Sequence, residues 1–373
     1  MRTDIEEFYD IFLNSKKIEE YIRNNKKIIG TFCSYIPEEI IHAAGLVPVR
    51  LFGKTTNVTQ AFSYIPNWLC YYSKRTFEEG LTGGYDFLDG FVFLTSDDTN
   101  ELMYSIWKKN VKAEYSYLLQ FPFAVNEISK RFFVKILNKF KKSLEDHYSV
   151  DITDEDLRNS IEIYNRYRSL LKELYKYRFY IPPKVSGSDV LKVNLASYSM
   201  LKEEFSDKIE RYIDKLSNEN ELPGKPRLYV TGVPIYDPEV FEMIEGCGST
   251  IIFDDLCTGS RNFDFTIDET AKDPVKAIAE GYLASKPTCG TCSRQGGFAI
   301  DERLSYINER LKTLNPDGII ILGDKGCELC AFSQIELRKE LTKVKPVLYL
   351  EIDFPLAVEQ HKTRIEAFIE SLS

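Results

Sequence analysis

Two kinds of hydrophobic segment alternate along the first third of the chain. Short apolar runs, typical of buried strands, occur at residues 27–32, 46–52, 88–95 and 115–121. Between them lie segments with the apolar spacing of amphipathic helices, such as 73–81 and 99–109. Strands that alternate with helices predict a parallel sheet covered by helices on both faces.

The pattern changes in the middle of the chain. From about residue 126 to residue 218, long amphipathic stretches dominate, with the breaker Ile181-Pro182-Pro183 between them. After Pro223-Gly224-Lys225-Pro226 the alternation of strands and helices resumes. We therefore predict an α/β protein with two doubly wound, Rossmann-like parallel-sheet domains joined by a helical segment. The predicted parts are an N-terminal α/β domain at 1–125, a helical connector at 126–222 and a C-terminal α/β domain at 223–373.

Composition and charge exclude several classes of partner. The 373 residues include 48 Lys and Arg against 57 Asp and Glu, a net charge of −9. This acidic balance argues against nucleic acid and against anionic membrane surfaces. No apolar run approaches the length of a membrane span, and the first residues lack the apolar core of a signal peptide. We therefore expect a cytoplasmic protein, in which eight cysteines favour metal or redox chemistry over disulfides.

Three cysteines fall beside the ends of predicted elements. Cys33 follows the first strand, Cys327 follows a strand at 318–322, and Cys70 precedes the helix that begins near Ser73. Open α/β sheets bind ligands outside the carboxyl ends of their strands. If the two sheets face each other, these three cysteines would meet at one site between the domains.

A second signal is a pair of CxxC motifs, Cys289 to Cys292 and Cys327 to Cys330, with 34 residues between them. Four such thiolates suit Zn²⁺ or an iron–sulfur cluster. A redox-active dithiol is an alternative interpretation. Some of the cysteines are expected to be small packing residues instead, in particular Cys247 and Cys257.

The best-known nucleotide and hydrolase motifs are missing from the sequence. It contains no complete glycine fingerprint for a dinucleotide, no phosphate-binding loop with its lysine, and no nucleophile elbow. We therefore do not expect the chain to hydrolyse ATP itself.

Six segments, in order and across nearly the whole chain, carry a family resemblance. They are Gly30 to Val49 (GTFCSYIPEEIIHAAGLVPV), Trp68-Leu69-Cys70-Tyr71, Leu88 to Thr99 (LDGFVFLTSDDT), Phe253 to Phe263 (FDDLCTGSRNF), Asp317 to Glu328 (DGIIILGDKGCE) and Leu350 to Phe368. Together they resemble the 2-hydroxyacyl-CoA dehydratase family, which also contains benzoyl-CoA reductase subunits and double-cubane cluster proteins.

The resemblance implies an iron–sulfur subunit with a 4Fe–4S cluster held by three cysteines, or a related double-cubane cluster. A separate ATP-hydrolysing activator would supply a low-potential electron for radical dehydration or reduction of an acyl-CoA. A sister subunit or a second copy of the chain would complete the enzyme. Cys70 and Cys327 match the family's ligand positions, and Cys33 lies where the family often has a cysteine.

One position departs from the family pattern. Asp97 stands where the resemblance places the middle cysteine ligand, and a carboxylate is a harder ligand than a thiolate. Our hypothesis is that the site has been rebuilt, with Cys33 or one of the additional cysteines replacing the lost thiolate. The additional cysteines are Cys289, Cys292 and Cys330.

Candidate proton donors or hydrogen-bonding groups are Glu38, Glu39 and His42, on the short helix predicted after Cys33. Pro37 opens this helix, and its N-terminus would stabilise developing negative charge. Two other functions remain open for the whole chain. One is an iron–sulfur electron carrier or a reductase of a small molecule, and the other is a zinc-bearing structural protein.

Overall fold

Two four-stranded sheets, both entirely parallel, form the framework of the computed structural model. It describes residues 2–14, 16–216, 222, 226–289 and 300–372. The strands are β1 (Ile28–Thr31), β2 (Val47–Arg50), β3 (Gly90–Leu94), β4 (Tyr115–Leu119), β5 (Arg227–Gly232), β6 (Thr250–Asp255), β7 (Gly318–Asp324) and β8 (Val347–Ile352). Their order is β2-β1-β3-β4 in the first sheet and β6-β5-β7-β8 in the second. The predicted fold class is confirmed.

The burial of the strands explains why their sequences are so apolar. Every residue of β1 and β3 is buried, as is every residue of β5 and β6, because helices cover both faces of each sheet. The edge strands β4 and β8 are only partly buried. Central strands of this kind therefore appear in the sequence as continuous apolar runs rather than as alternating patterns.

Fourteen α-helices are described in these parts of the chain. They are α1 (Arg2–Leu13), α2 (Lys16–Arg23), α3 (Glu38–Ala43), α4 (Tyr71–Leu81), α5 (Asp98–Asn110), α6 (Glu127–Tyr148), α7 (Asp154–Lys176), α8 (Gly187–Ala196), α9 (Lys202–Leu216), α10 (Glu239–Gly246), α11 (Pro274–Glu280), α12 (Ile300–Leu314), α13 (Glu328–Leu341) and α14 (Val358–Glu370). The sequence from 188 to 216 has the amphipathic pattern of one long stretch, but the structure divides it into α8 and α9. The sequence pattern predicts a helix over 333–341 in this region, but α13 begins directly after Cys327, five residues earlier.

The early start of α13 has a local cause. Asp324 ends β7, and its Oδ1 accepts a hydrogen bond from the Gly326 N–H at 2.9 Å. The Cys327 N–H donates to the Asp324 carbonyl at 3.0 Å. This tight turn brings the chain straight from the strand into the helix, so that Cys327 becomes the residue before its first turn.

The helices α6 to α9 occupy the region predicted as a connector. One hydrophobic core joins Leu171 of α7 and Ile209 of α9 to Ile319 of the second sheet, and Phe8 of α1 belongs to the same core. The N-terminal helix thus packs with the connector rather than with the first sheet alone. The boundaries at residues 125 and 222 stay a prediction.

The strand order also fixes where ligands can bind. In each sheet the chain leaves a central strand towards one side and returns on the other, as β1, β2 and β3 show. The carboxyl ends of such a pair of strands flank a crevice, which is the usual ligand site in open α/β sheets. None of the described helices has the length and apolar character needed to cross a bilayer.

Candidate functional site

A cavity of about 410 Å³ lies at the carboxyl ends of both sheets. Its wall contains residues that follow β1, β2 and β3, and others that follow β5, β6 and β7. The cysteines in the wall are Cys33, Cys70, Cys257, Cys289, Cys327 and Cys330. Asp97, which departs from the family pattern, lies in the same wall. The structure therefore brings most of the predicted ligand candidates to one place, while Cys292 lies outside the described residues.

Cys70 lies beyond a strand of the first sheet and Cys327 beyond a strand of the second, and each lies at the start of a helix. Each residue immediately precedes the first turn of its helix, α4 or α13, and neither side chain caps that helix. The Tyr71 N–H donates to Asp324 Oδ2 at 2.9 Å, which joins the start of α4 to the end of β7. The two halves of the protein thus meet directly beside these cysteines.

Glycine at position 326 makes this meeting possible. A Cβ atom there would lie 2.2 Å from the carbonyl oxygen of Leu69 and 3.1 Å from the Cys70 nitrogen. Any larger residue would push the two loops apart. Gly326 therefore sets the close approach of the loop before Cys327 to the loop before Cys70.

The thiols at this end of the cavity are held in their protonated form. Burial and the neighbouring Asp324 carboxylate raise the pKa of Cys70, whose Sγ lies 3.0 Å from Ser73 Oγ. The pKa of Cys327 is raised by a hydrogen bond with Cys330 and by burial. A bound metal would lower these pKa values by stabilising the thiolates, so metal binding here would release protons.

A second pair of thiols lies elsewhere in the same wall. The Sγ atoms of Cys257 and Cys289 are 3.3 Å apart, and both residues are buried. The Cys289 N–H donates to Tyr35 Oη at 3.2 Å, and that hydroxyl donates to the carbonyl of Pro287. Cys257 was predicted to be a packing residue, and it does belong to a hydrophobic core as well. Its position just after β6, at the carboxyl edge of a sheet, was the sequence signal that it could also line the cavity.

Asp97 is held as a helix cap. Its Oδ1 accepts from the Asn100 N–H at 2.9 Å, at the start of α5. Its Oδ2 accepts from Ser96 Oγ at 2.9 Å and from Asn100 Nδ2 at 2.6 Å. Burial raises the pKa of this carboxyl group, and nearby Cys289 adds to the increase. Both carboxylate oxygens are therefore engaged by neighbouring donors.

The acidic candidates on α3 lie in a buried ionic network. Glu39 is fully buried, pairs with Arg168 and accepts a hydrogen bond from Tyr282 Oη at 2.8 Å. Glu38 pairs with Lys202, with 3.0 Å between Oε2 and Nζ. Neither belongs to the cavity wall. These contacts join α3 to the helical connector through both acids, and to the C-terminal half through Glu39.

His42 faces the connector as well. Its Nδ1 lies 3.0 Å from Ser160 Oγ of α7, and its Nε2 lies 3.4 Å from Glu203 of α9. It is likewise absent from the described cavity wall. Catalytic roles for His42, Glu38 and Glu39 stay predictions. The contacts that these three side chains make join α3 to other helices.

The cavity can be compared with the requirements of a metal centre. Within the described ranges, no group of three or more His, Cys, Asp or Glu side chains is arranged around one metal ion. A cubane cluster makes a different demand, because each thiolate binds a different iron atom and the ligands stand further apart. The donor chemistry, several buried thiols on one wall, fits an iron–sulfur cluster.

Comparison with known proteins places the chain in a family. The family model described as 2-hydroxyglutaryl-CoA dehydratase, D-component, matches residues 33–372. The (R)-phenyllactyl-CoA dehydratase beta subunit of Clostridium sporogenes is 27% identical over 379 residues, with 98% of each chain covered. The (R)-2-hydroxyglutaryl-CoA dehydratase subunit beta of Acidaminococcus fermentans is 26% identical over 99% of this chain and 98% of its own.

A relative with a different named activity matches a shorter part. A benzoyl-CoA reductase subunit of Thauera aromatica is 26% identical over 310 residues, which cover 82% of this chain and 79% of that protein. These matches confirm the resemblance predicted from the sequence. The chain belongs to the 2-hydroxyglutaryl-CoA dehydratase D-component family, whose named relatives are subunits of dehydratases and of a reductase.

Proposed function

We propose that the chain is an enzyme subunit that takes part in the dehydration of a 2-hydroxyacyl-CoA or the reduction of an acyl-CoA. We also propose that it holds an iron–sulfur cluster in the thiol-lined cavity. Family membership supports the first part. The observation that carries the second is the cavity itself, where cysteines from both sheets meet across the close contact at Gly326.

Cys70 and Cys327 are the first two ligands in this proposal, since they flank that contact. Cys33 and Cys289 are the leading candidates for the third. Cys289 lines the same cavity wall as Asp97 and adds to the increase in the Asp97 pKa, so a cysteine side chain lies near the position where the family pattern has its middle ligand. Cys330 and Cys292 remain further candidates. When bound, the cluster supplies one-electron transfer at low potential.

The rest of the wall orients the substrate and excludes water. Aromatic and aliphatic side chains such as Phe32, Tyr35 and Leu69 line it and are buried. Trp68 and Leu102 also line the cavity, yet they are exposed, so they mark its mouth. An acyl group that enters past these two residues leaves water for a largely apolar space, which strengthens electrostatic interactions inside it.

Two protein partners belong to this proposal. The dehydratase relatives are named as beta subunits, and the reductase relative is also named as one of several subunits. These names support a sister subunit or a second copy of this chain. The family resemblance implies a separate ATP-hydrolysing activator as the source of the electron, and the sequence contains no phosphate-binding loop of its own.

The proposal is tested by anaerobic reconstitution. The chain, its partner subunit, the activator, a reductant and ATP are mixed, and a 2-hydroxyacyl-CoA is added. We expect conversion to the enoyl-CoA that requires both ATP and the cysteine at position 70, with the Cys247→Ser variant active as a control. If every acyl-CoA fails while electrons pass to another protein, the chain is an electron carrier and the enzymatic proposal is wrong.

A further inference from the structure

Two thiols of the cavity wall lie almost within bonding distance of each other. The Sγ atoms of Cys257 and Cys289 are 3.3 Å apart, although the two residues are 32 positions apart in the chain. A disulfide bond is about 2.05 Å long, so these atoms need to approach by only about 1.2 Å to be joined. This thiol pair, Cys257 and Cys289, is therefore placed for a covalent bond that needs little movement.

The backbone on each side of the thiol pair is held by a buried tyrosine. The hydroxyl group of Tyr198 donates to the carbonyl of Cys257 at 3.4 Å. The Cys289 N–H donates to Tyr35 Oη at 3.2 Å, and that hydroxyl donates to the carbonyl of Pro287 at 2.7 Å. Both tyrosines are buried. A small rotation of the two cysteine side chains, rather than a shift of either segment, would therefore bring the sulfur atoms together.

The thiol pair is reached only through the cavity. Cys257 is 8% exposed and Cys289 is 7% exposed, yet both line the cavity wall. The exposed side chains of Trp68 and Leu102 lie at its mouth. A small reagent that enters there can contact the thiols, whereas a cysteine on the surface of another protein cannot. The reaction partner must therefore be a small molecule.

Buried cations lie beside the thiol pair. The guanidinium of Arg261 interacts electrostatically with both thiols, and it also pairs with Asp255, with 3.0 Å between Nε and Oδ1. The buried ammonium of Lys286 interacts with the Cys257 thiol, while Asp97 is an acidic neighbour of the other thiol. A hydrogen bond within the pair and burial raise the pKa of Cys257, and Arg261 opposes this increase. Positive charge favours the thiolate, which is the form that attacks a disulfide.

We propose that the thiol pair is a covalent modification site, at which a low-molecular-weight disulfide joins Cys257 to Cys289. One thiolate of the pair attacks a sulfur atom of the reagent, whose S–S bond breaks and releases the first small thiol. The second sulfur of the pair then attacks the mixed disulfide and releases the second small thiol. The two protein thiols lose two electrons and two protons, and the reagent takes up both as it becomes two thiols.

One consequence of this reaction rests on the proposed function. Cys289 is a leading candidate for the third cluster ligand, and a sulfur atom in a disulfide is no longer a thiolate that binds iron. The joined pair would therefore keep this end of the cavity from loading a cluster until a thiol reduces it. Conversely, a cluster bound through Cys289 would protect the pair from the reagent.

The test maps the disulfide directly. The full-length chain is freed of iron with a chelator, freed of reductant and treated anaerobically with bis(2-hydroxyethyl) disulfide. Remaining thiols are alkylated, the protein is digested without reductant, and mass spectrometry identifies the joined peptides. We expect the share of Cys289 joined to Cys257 to be at least about fivefold higher than in concentrated urea, where their proximity is lost. A dithiol reductant should reverse the bond.

The chain that retains its iron is treated in parallel, so the test still decides if removal of iron unfolds the protein. In this sample the Cys257–Cys289 disulfide should form only in step with the loss of iron. Two variants serve as controls. In Cys257→Ser, Cys289 should carry the small thiol of the reagent instead, because its partner is missing. In Cys247→Ser, which lies outside the cavity wall, the pair should form as in the unaltered chain.

The outcomes separate this inference from the proposed function. If neither sample contains the Cys257–Cys289 disulfide, or if Cys289 joins Cys33 instead, the inference is overturned. Equal shares with and without urea, in a metal-free chain that unfolds cooperatively, overturn it as well. Complete pairing while all iron is retained leaves the modification site standing and contradicts its protection by a cluster. A chain that never binds iron contradicts the proposed cluster, and the peptide map still decides the modification site.

Discussion

Two helix starts in the cavity wall occupy the same place in the two sheets and are built differently. In the first sheet, β3 leads to Asp97 and α5; in the second, β7 leads to Cys327 and α13. Both carboxylate oxygens of Asp97 accept hydrogen bonds from Ser96 and Asn100. The Cys327 side chain, by contrast, does not cap α13. A carboxylate here stabilises the helix, while a thiol remains available to a ligand.

This comparison predicts opposite effects on metal content. Cys327→Ser removes a proposed cluster ligand that has no capping role. We therefore expect the variant to lose most of its iron. Asp97→Ser should keep its iron, since Ser can still cap α5 and Asp97 is not needed as a ligand. Metal analysis of anaerobically purified protein measures both, and this is the largest effect that we expect.

Cys247→Ser is the matched control for the first variant. Cys247 follows α10, and its Sγ lies 3.2 Å from the carbonyl of Met243, outside the cavity wall. Its iron content should equal that of the unaltered chain. Equal iron in Cys327→Ser and Cys247→Ser would mean that the proposed site is misplaced.

Two glycine substitutions test the close contact beside Cys327. Gly326→Ala places a methyl group against the Leu69 carbonyl, and overpacking of this kind costs about 1–3 kcal/mol. Gly246→Ala, at the end of α10, meets no atom within 4 Å and should be neutral or slightly stabilising. The free energy of unfolding, from urea titrations of both variants, gives the comparison. An unchanged value for Gly326→Ala would contradict the close approach of the two halves.

The capping role of Asp97 predicts a smaller change in stability. Asp97→Ala should lower the free energy of unfolding by about 1 kcal/mol, because the first turn of α5 loses its acceptor. Asp97→Asn retains a cap and should lose much less. Cys327→Ala removes no cap, so in metal-free protein its loss should be smaller than that of Asp97→Ala. The comparison of the two helix starts fails if the Cys327 variant loses more.

The pH dependence of stability should show the smallest difference. Burial raises the pKa of Asp97 above its ordinary value of 3.8, so the folded state binds this proton more tightly than the unfolded state does. The Asp97 contribution to stability therefore falls as the pH rises from about 3.8 through the raised folded value. The Asp97→Asn variant lacks this contribution. Unfolding measured across this range should show the two proteins diverging, and parallel curves would contradict the raised pKa.

Much of the fold was predictable because buried parallel strands consist of continuous apolar runs. The same runs located Cys33 and Cys327, since a residue just after a central strand lies at the ligand edge of the sheet. Local pattern alone could not give the contact of Gly326 with Leu69, because these residues are distant in the chain. The ion pair of Glu39 with Arg168 was hidden for the same reason, since an acid in a first helical turn has the pattern of an ordinary helix-start residue.

The metal content of the unaltered chain tests the central claim most directly. Protein purified under strict exclusion of oxygen is analysed for iron, acid-labile sulfide and zinc, and its visible spectrum is recorded. A cluster held by the thiols of the cavity predicts a brown protein with broad visible absorbance and matching amounts of iron and sulfide. A colourless protein that contains zinc but neither iron nor sulfide would contradict it.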